Sequence, residues 1–539
     1  MRSVTLSQTV DGELREGGSK GAEVPDRRRW LALAILCVCV LVPFMDLVVV
    51  SVSLTTMERN LHATSGQLQW IVAAYGITSA SFMLLVPALG SRWGYRRTLL
   101  AGLLLFGAAS AATAFAPNVG VLISMRVVMA VGASVVLPMG MAFIGILFRE
   151  EERVRAFGIW AAGVALATPL GAVVGGALVE HFWWGWIFLL NVFTVVVVVP
   201  LVLWVLPPAR AARRTEINLW SVLLLAAGMA LLLYGLIDAE HGWGAAAAWL
   251  VAGGLVLVGF LVREKLTSSP LIGLTPFRTP RYLWGQATIT VGAFSLTAAL
   301  FVTPMYLQSV LGLSSLGVGL RLIPFALLVV VGSLAADRLS KRLGARWVVI
   351  GGSLVFGLGL ALLSRATAHS GDALVTVALG VAGLGGGISQ APAVSSAMGA
   401  LPREVAANGS AFINALRNMG GALGVGLIGS VVTLSYTHDL PASAARLPAG
   451  QGGAVRESVA NVARAATTVG GDAGQSLRAA ASGAFVHGFS LGMEIVAAAV
   501  VAVALLTCVM PDRARGTAPA GEQPDGVPEG ATAPGGASA

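Results

Sequence analysis

Charge is scarce in this sequence. Only 11% of its 539 residues are Asp, Glu, Lys or Arg, against roughly 25% in soluble proteins. Two or three water-soluble domains of this length are excluded, because too few charged side chains exist to cover them. Lysine is nearly missing, with only Lys20, Lys265 and Lys341. The three cysteines, Cys37, Cys39 and Cys508, all sit inside apolar runs, which excludes a disulfide framework and any metal-ligand spacing. No G-x-x-x-x-G-K-S/T occurs, so ATP is not expected to act on this chain directly. No polar segment is large enough to house a metal site, a redox cofactor or a hydrolase triad. An enzyme is not expected, and neither is a cofactor. The N-terminal stretch lacks a short apolar region followed by a small-residue cleavage site, so the first apolar run reads as a retained helix.

What is present is apolar: 56% hydrophobic residues and 67 glycines, the small residue that membrane helices favour. The net charge of +9 is dispersed in small clusters between apolar runs. That pattern suits a bilayer surface and lacks the concentrated basic face that nucleic acid requires. A helix needs about 20 apolar residues to cross the hydrocarbon layer, and fourteen such runs lie between Trp30 and Met510, the second covering 69–90. None alternates with the period of a barrel strand. With the N-terminus in the cytoplasm, 23 positive residues flank cytoplasmic ends and only Arg59 and Arg365 occupy short outer loops. By the positive-inside rule both termini are cytoplasmic, and the chain is a multi-pass protein of the inner (cytoplasmic) membrane.

The loops after the second and tenth runs repeat each other. SRWGYRR (Ser91–Arg97) and KRLGARW (Lys341–Trp347) both contain R-x-G-x-R, as Arg92, Gly94 and Arg96 in one and Arg342, Gly344 and Arg346 in the other. Equivalent loops predict two six-helix bundles, residues 30–206 and 266–511, with helices 7 and 8 (207–265) inserted between them. Transporters are commonly built from such repeats, with cargo bound at their interface. The tail 1–29 precedes the first bundle. A long outer loop, 435–483, contains a candidate amphipathic helix at Val455–Val469, and the Pro-rich 512–539 reads as a disordered tail.

These features resemble the major facilitator superfamily, specifically its fourteen-helix drug:H+ antiporter branch. LQWIVAAYGITSASFMLL (Leu68–Leu85) looks like that branch's second helix. The loop after it is similar to G-x-L-x-D-R-x-G-R-R, with Pro87 in place of the first Gly and Ser91 in place of the Asp. Arg126 falls where R-x-x-Q-G-x-G places its arginine, although Met129 and Ala130 replace the Gln and Gly. The fifth helix resembles the antiporter motif of spaced glycines through Gly158, Gly171, Gly175 and Gly176. It departs at Ala167 and Ala172, and Pro169 falls three residues early. WGWIFLLN (Trp184–Asn191) looks like the opening of the sixth helix. MDLVVVSVSL (Met45–Leu54) looks like L-D-x-T-x-V-N-x-A-L and keeps Asp46. NALRNMGGALG (Asn414–Gly424) resembles the branch's thirteenth-helix R-x-x-G-G. The resemblance implies an all-α major facilitator fold, an alternating-access mechanism, a monomer, and no cofactor beyond the proton gradient that drives it.

Charged residues deep in a bilayer persist where they meet a partner or a water-filled cavity. Four stand inside runs: Asp46, Arg126, Arg417 and Glu494. At ~1.5 Å per residue, Asp46 lies about 24 Å in from Trp30, and Arg126 about 10 Å from the outer end of its run. The superfamily's fold lines its central cavity with helices one and four, so the two can meet there. A carboxylate exchanges protons whereas a guanidinium does not, which makes Asp46 the candidate proton carrier and Arg126 its tuner. A static pair that only fixes helix packing is the alternative. Arg417 and Glu494, both near midplane, form a second candidate pair, with Glu494 either a proton or cargo site or a structural partner. Tyr75, Trp160, Tyr306, Gln308, Asn414 and Arg417 are candidate cavity residues. The expected function is proton-coupled efflux of drugs or other amphipathic or cationic organic compounds. A dedicated exporter of one endogenous metabolite or self-made antibiotic is the alternative within transport, and a non-transporting sensor or channel the alternative outside it. The partners expected are small-molecule cargo, protons and the lipid bilayer.

Overall fold

The computed structural model describes residues 26–209, 218–239, 242–267, 279–368, 370–400, 406–440 and 470–510, together with Val462, Ala466 and Thr468. Most of the candidate outer-loop helix and both tails, apart from the start of the first helix, lie outside these residues. Every long described element is helical: α1 (Asp26–Leu61), α2 (Ser65–Met83), α3 (Val86–Trp93), α4 (Tyr95–Ala114), α5 (Val119–Leu147), α6 (Glu150–His181), α7 (Trp186–Val205) and α8 (Leu219–Asp238). They continue as α9 (Trp243–Leu266), α10 (Pro280–Ser309), α11 (Ser315–Leu343), α12 (Ala345–Leu363), α13 (Asp372–Gly399), α14 (Ala406–Asp439) and α15 (Gly471–Val509). Among the described residues twelve helices are long and apolar enough to cross a bilayer, and a thirteenth crossing is gained if α2 and α3 count as one bent span. Beside these, α6 offers the apolar stretch Leu166–His181.

The second apolar run is therefore not one straight helix. It bends by 52° between Met83 and Val86. Pro87 stands in the first turn of α3; it lacks an amide hydrogen, and its ring would collide with the carbonyl four residues back. Other starts are set by short polar side chains. Asn118 accepts from the Val121 amide at 3.0 Å at the head of α5, and Thr64 with Gln67 forms a reciprocal capping box on α2.

Helix packing runs in two matching sets. In the first, α1 packs on α6 and α7, α4 on α5 and α7, and α2 on α5; in the second, α10 packs on α14 and α15, α12 on α13 and α15, and α11 on α13. The sets meet through α6 with α11, α2 with α14, and α1 with α10, while α8 and α9 pair with each other and α8 reaches α2 and α14. Outward-facing apolar side chains are numerous: Trp204 is 71% exposed, Leu255 67% and Val196 64%. Only a hydrocarbon surround covers so much apolar surface without cost.

Glycine sets the spacing of α6. A Cβ on Gly175 would meet Val49 Cα of α1 at 2.9 Å, and one on Gly176 would meet the Ser315 carbonyl of α11 at 2.6 Å. A Cβ on Gly319 of α11 would overlap the Ala172 carbonyl in turn. The helix is thus held between α1 and α11 at backbone contact.

Candidate functional site

Asp46 and Arg126 form an ion pair, with Asp46 3% exposed and Arg126 fully buried. Three further contacts define the pair. Arg126 Nε donates to the Ile71 carbonyl of α2 at 3.1 Å. Asn191 Nδ2 of α7 donates to Asp46 Oδ1 at 2.9 Å. The guanidinium also stands 4.3 Å from the centre of the Tyr75 ring. Four helices (α1, α2, α5 and α7) therefore hold two side chains. Arg126 Nη2 is buried without a hydrogen-bond partner. Such a desolvated pair survives only with these extra donors and acceptors, because losing one partner of a buried pair costs about 3–5 kcal/mol.

The pair does not line open space, as its position on cavity helices led one to expect. Tyr75 screens it from a cavity that lies between the two helix sets. Phe44, Leu47, Val48, Leu296 and Leu300 form its apolar walls, while Ser79, Arg417 and Asn418 bring polar atoms. A smaller space adjoins it, lined by Tyr75, Met83, Asn414 and Asn418 among others. Together they are concave, mostly apolar and supplied with a few polar groups, the character of small-molecule sites.

Of the six candidate cavity residues, Tyr75, Asn414 and Arg417 line these spaces. Trp160 is instead packed in the core of the first set, 6% exposed. Tyr306 is fully buried, stacked on Phe489 at 4.8 Å, and donates its hydroxyl to the Thr367 carbonyl at 2.7 Å. Gln308 crosses to α1, donating to the Val52 carbonyl at 2.8 Å and accepting from Thr55. Aromatic bulk and polarity in the sequence did not distinguish a cavity wall from a satisfied core position. The candidate Arg417–Glu494 pair is not formed. Glu494 is exposed on the outer surface of α15, whereas Arg417 faces the cavity. Near-midplane depth brought them together in the sequence, but the helical phase of α15 turns Glu494 away.

The end of the molecule opposite the Arg92 and Arg342 loops is closed. Gln308 ties α10 to α1, and Ser430 Oγ of α14 donates to Gln69 of α2 at 3.4 Å. Glu180, at the tip of α6, accepts from the Leu316 amide of α11 at 3.0 Å. Its side chain also hydrogen-bonds Ser314, and these two contacts hold its carboxyl below the usual carboxylate range, with a smaller contribution from His181. Sequence reading overlooked Glu180, and it noted Asn191 only as the end of a motif. An amide in an otherwise apolar crossing was the available signal for Asn191.

The repeated loops have equivalent geometry. Gly94 and Gly344 adopt φ of 89° and 84°, values that favour glycine. Arg96 Nη1 donates to the Leu206 carbonyl at 3.1 Å, beyond the last turn of α7, and Arg346 Nε donates to the Thr507 carbonyl of α15 at 3.0 Å. Arg92 and Arg342 are exposed. Among the antiporter-helix glycines, Gly171, Gly175 and Gly176 are in close contact, but nothing lies within 4 Å of a Cβ placed on Gly158.

Residues 36–425 match the Major Facilitator Superfamily. The multidrug resistance protein Stp of Mycobacterium tuberculosis is 32% identical over 395 residues, covering 72% of this chain and 73% of its own. The methyl viologen resistance protein SmvA of Salmonella typhimurium is 30% identical over 480 residues, covering 87% and 95%. A bacterial homologue of the human lysosomal transporter Spinster, solved inward-facing and unoccupied, superposes with a TM-score of 0.65 at 14% identity over 91% of this chain and 98% of its own. With a family match over most of its length and relatives named for drug resistance, this chain belongs to the Major Facilitator Superfamily and is a multi-pass membrane transporter of small molecules.

Proposed function

We propose that this protein is a proton-coupled antiporter that exports amphipathic organic compounds across the cytoplasmic membrane by alternating access. The observation that carries the proposal is the buried Asp46–Arg126 pair, set behind Tyr75 at the edge of the inter-bundle cavity. Asp46 takes up and releases the proton. When it is neutral, Arg126 loses its counter-charge and keeps the Ile71 carbonyl, the Tyr75 face and an uncharged carboxyl oxygen. A buried, uncompensated guanidinium is costly, and that cost favours rearrangement of α1, α2 and α5 around it. Cargo occupies the cavity on the far side of Tyr75, so proton and cargo exclude one another through helix movement, without contending for the same atoms.

In this reading the chain crosses the membrane fourteen times, α2 with α3 forming one crossing and α6 another. It consists of two six-helix bundles, 30–206 and 266–511, with the inserted pair 207–265. The arginine-rich loops and both termini face the cytoplasm. The sealed end faces outward, and the cavity belongs to an inward-facing state. The protein acts as a monomer, powered by the proton gradient without a cofactor.

The test is transport in proteoliposomes under an imposed pH gradient, with paired readouts of a fluorescent amphipathic dye and of internal pH. The intact protein is expected to exchange dye for protons, and Asp46→Asn to abolish the proton flux while still binding dye. Unaltered proton-coupled transport by Asp46→Asn would falsify the assignment.

A further inference from the structure

The cavity contains one charge. Among its described lining residues Arg417 alone is ionisable with a fixed sign at physiological pH, and no carboxylate lines either space. Asp46, the acid nearest in sequence to the cavity wall, is occupied by Arg126 and Asn191 behind the Tyr75 ring. Arg417 differs from Arg126, the other deeply placed arginine. Arg126 has its carboxylate, whereas Arg417 makes no hydrogen bond or ion pair among the described residues, is partly buried and lines the cavity. Asn418 follows it on α14 and also lines the space, its amide 3.5 Å from Ser79 Oγ across the bundle interface. The remaining walls are mostly apolar.

A guanidinium stays charged at any working pH and presents a planar fork of donors that fits an oxyanion. Facing a weakly polar cavity, it repels a permanent cation and lacks any carboxylate to offset the repulsion. We infer that Arg417 anchors the cargo, and that the cargo is an amphipathic organic molecule bearing an oxyanion, a carboxylate or phenolate on an apolar body. This inference rests on the export reading and narrows it: permanently cationic compounds are poor cargo. The apolar body lies against Phe44, Leu47, Leu296 and Leu300, and the oxyanion receives hydrogen bonds from Arg417 with Asn418 beside it.

The experiment is equilibrium binding to the full-length protein in detergent, using two dyes with the same ring system: a rhodamine with a free carboxylate, and the methyl ester of that rhodamine. Hydrogen bonds to charged groups are strong enough that the free acid is expected to bind at least about tenfold more tightly than the ester. Arg417→Gln is expected to bring the ratio to about one, Arg417→Lys to retain a clear preference for the acid, and the surface variant Glu494→Gln to leave both affinities unchanged. The wild-type ratio needs no substitution, so the idea remains exposed to refutation even where Arg417→Gln does not fold. Preference for the ester, binding of neither dye, or an undiminished ratio in folded Arg417→Gln overturns it. Binding needs no proton gradient, which separates the two readings. A tenfold ratio without proton-driven transport retains Arg417 and removes antiport; transport without the ratio does the reverse.

Discussion

Arg96 and Arg346 perform one task twice: each lays its guanidinium on the last carbonyls of a crossing helix, at α7 for one and α15 for the other. Those carbonyls have no partner within their own helix, and a cation beside them also answers the negative end of the helix dipole. Gly94 and Gly344 make the placement possible, since each turns the chain through a positive φ two residues earlier.

Two expectations follow for these loops. Gly94→Ala and Gly344→Ala should each destabilise the protein by about 1–2 kcal/mol, the cost of a side chain in the left-handed region, seen as lower thermal midpoints in detergent. Arg96→Ala and Arg346→Ala should lower them similarly. A loss confined to one loop would show that the geometric equivalence has no energetic counterpart.

Asn191 contributes one hydrogen bond to Asp46 at 2.9 Å from a fourth helix. Replacing it with Leu leaves Asp46 Oδ1 without that donor while adding little volume. Hydrogen bonds to charged groups contribute about 1.5–3 kcal/mol, so proton-driven transport by Asn191→Leu should fall by roughly tenfold or more with dye binding preserved. Normal transport rates would mean that α7 supports the pair only structurally.

The seam between α6 and α11 has no room for side chains at Gly176 and Gly319. Gly319→Val should force it apart. Spin labels at Phe182 and Leu311 should then report a longer, broader distance distribution than in the parent protein. An unchanged distribution would show that the backbones slide and do not separate.

Glu180 is expected to give the same seam a dependence on pH. Its carboxyl is held low, first by the Ser314 side chain and then by the Leu316 amide. A group lowered in the closed state stabilises that state fully above its ordinary range, and the stabilisation is lost as pH falls through the lowered value. Acidifying the medium should therefore shift the Phe182–Leu311 distances toward the open population, and Glu180→Gln should remove most of that response. Equal acid sensitivity in the variant would place the titrating group elsewhere.

Much of the fold was legible because a bilayer imposes length and composition on every crossing, and arginine marks the loops. Hydropathy marks 69–90 as one apolar run but does not register the 52° bend between Met83 and Val86, beside Pro87. Asp46 and Arg126 were paired correctly, since two opposite charges in apolar helices leave few other solutions. Depth alone could not do the same for Glu494. A rise of 1.5 Å per residue fixes how far along a helix a residue lies, while which way it points depends on packing that a single sequence does not display. Trp160 and Tyr306 failed as cavity residues for a related reason: an aromatic side chain suits a packed core and a cavity wall equally well.

Tyr75 has the guanidinium of Arg126 against its ring and also borders the cavity. In the proposed mechanism a molecule filling that space would share no atom with the ion pair, and its arrival would be registered there as pressure on a single aromatic plane. Such a signal would carry bulk and position, and molecules of quite different skeleton could then actuate the same charged machinery.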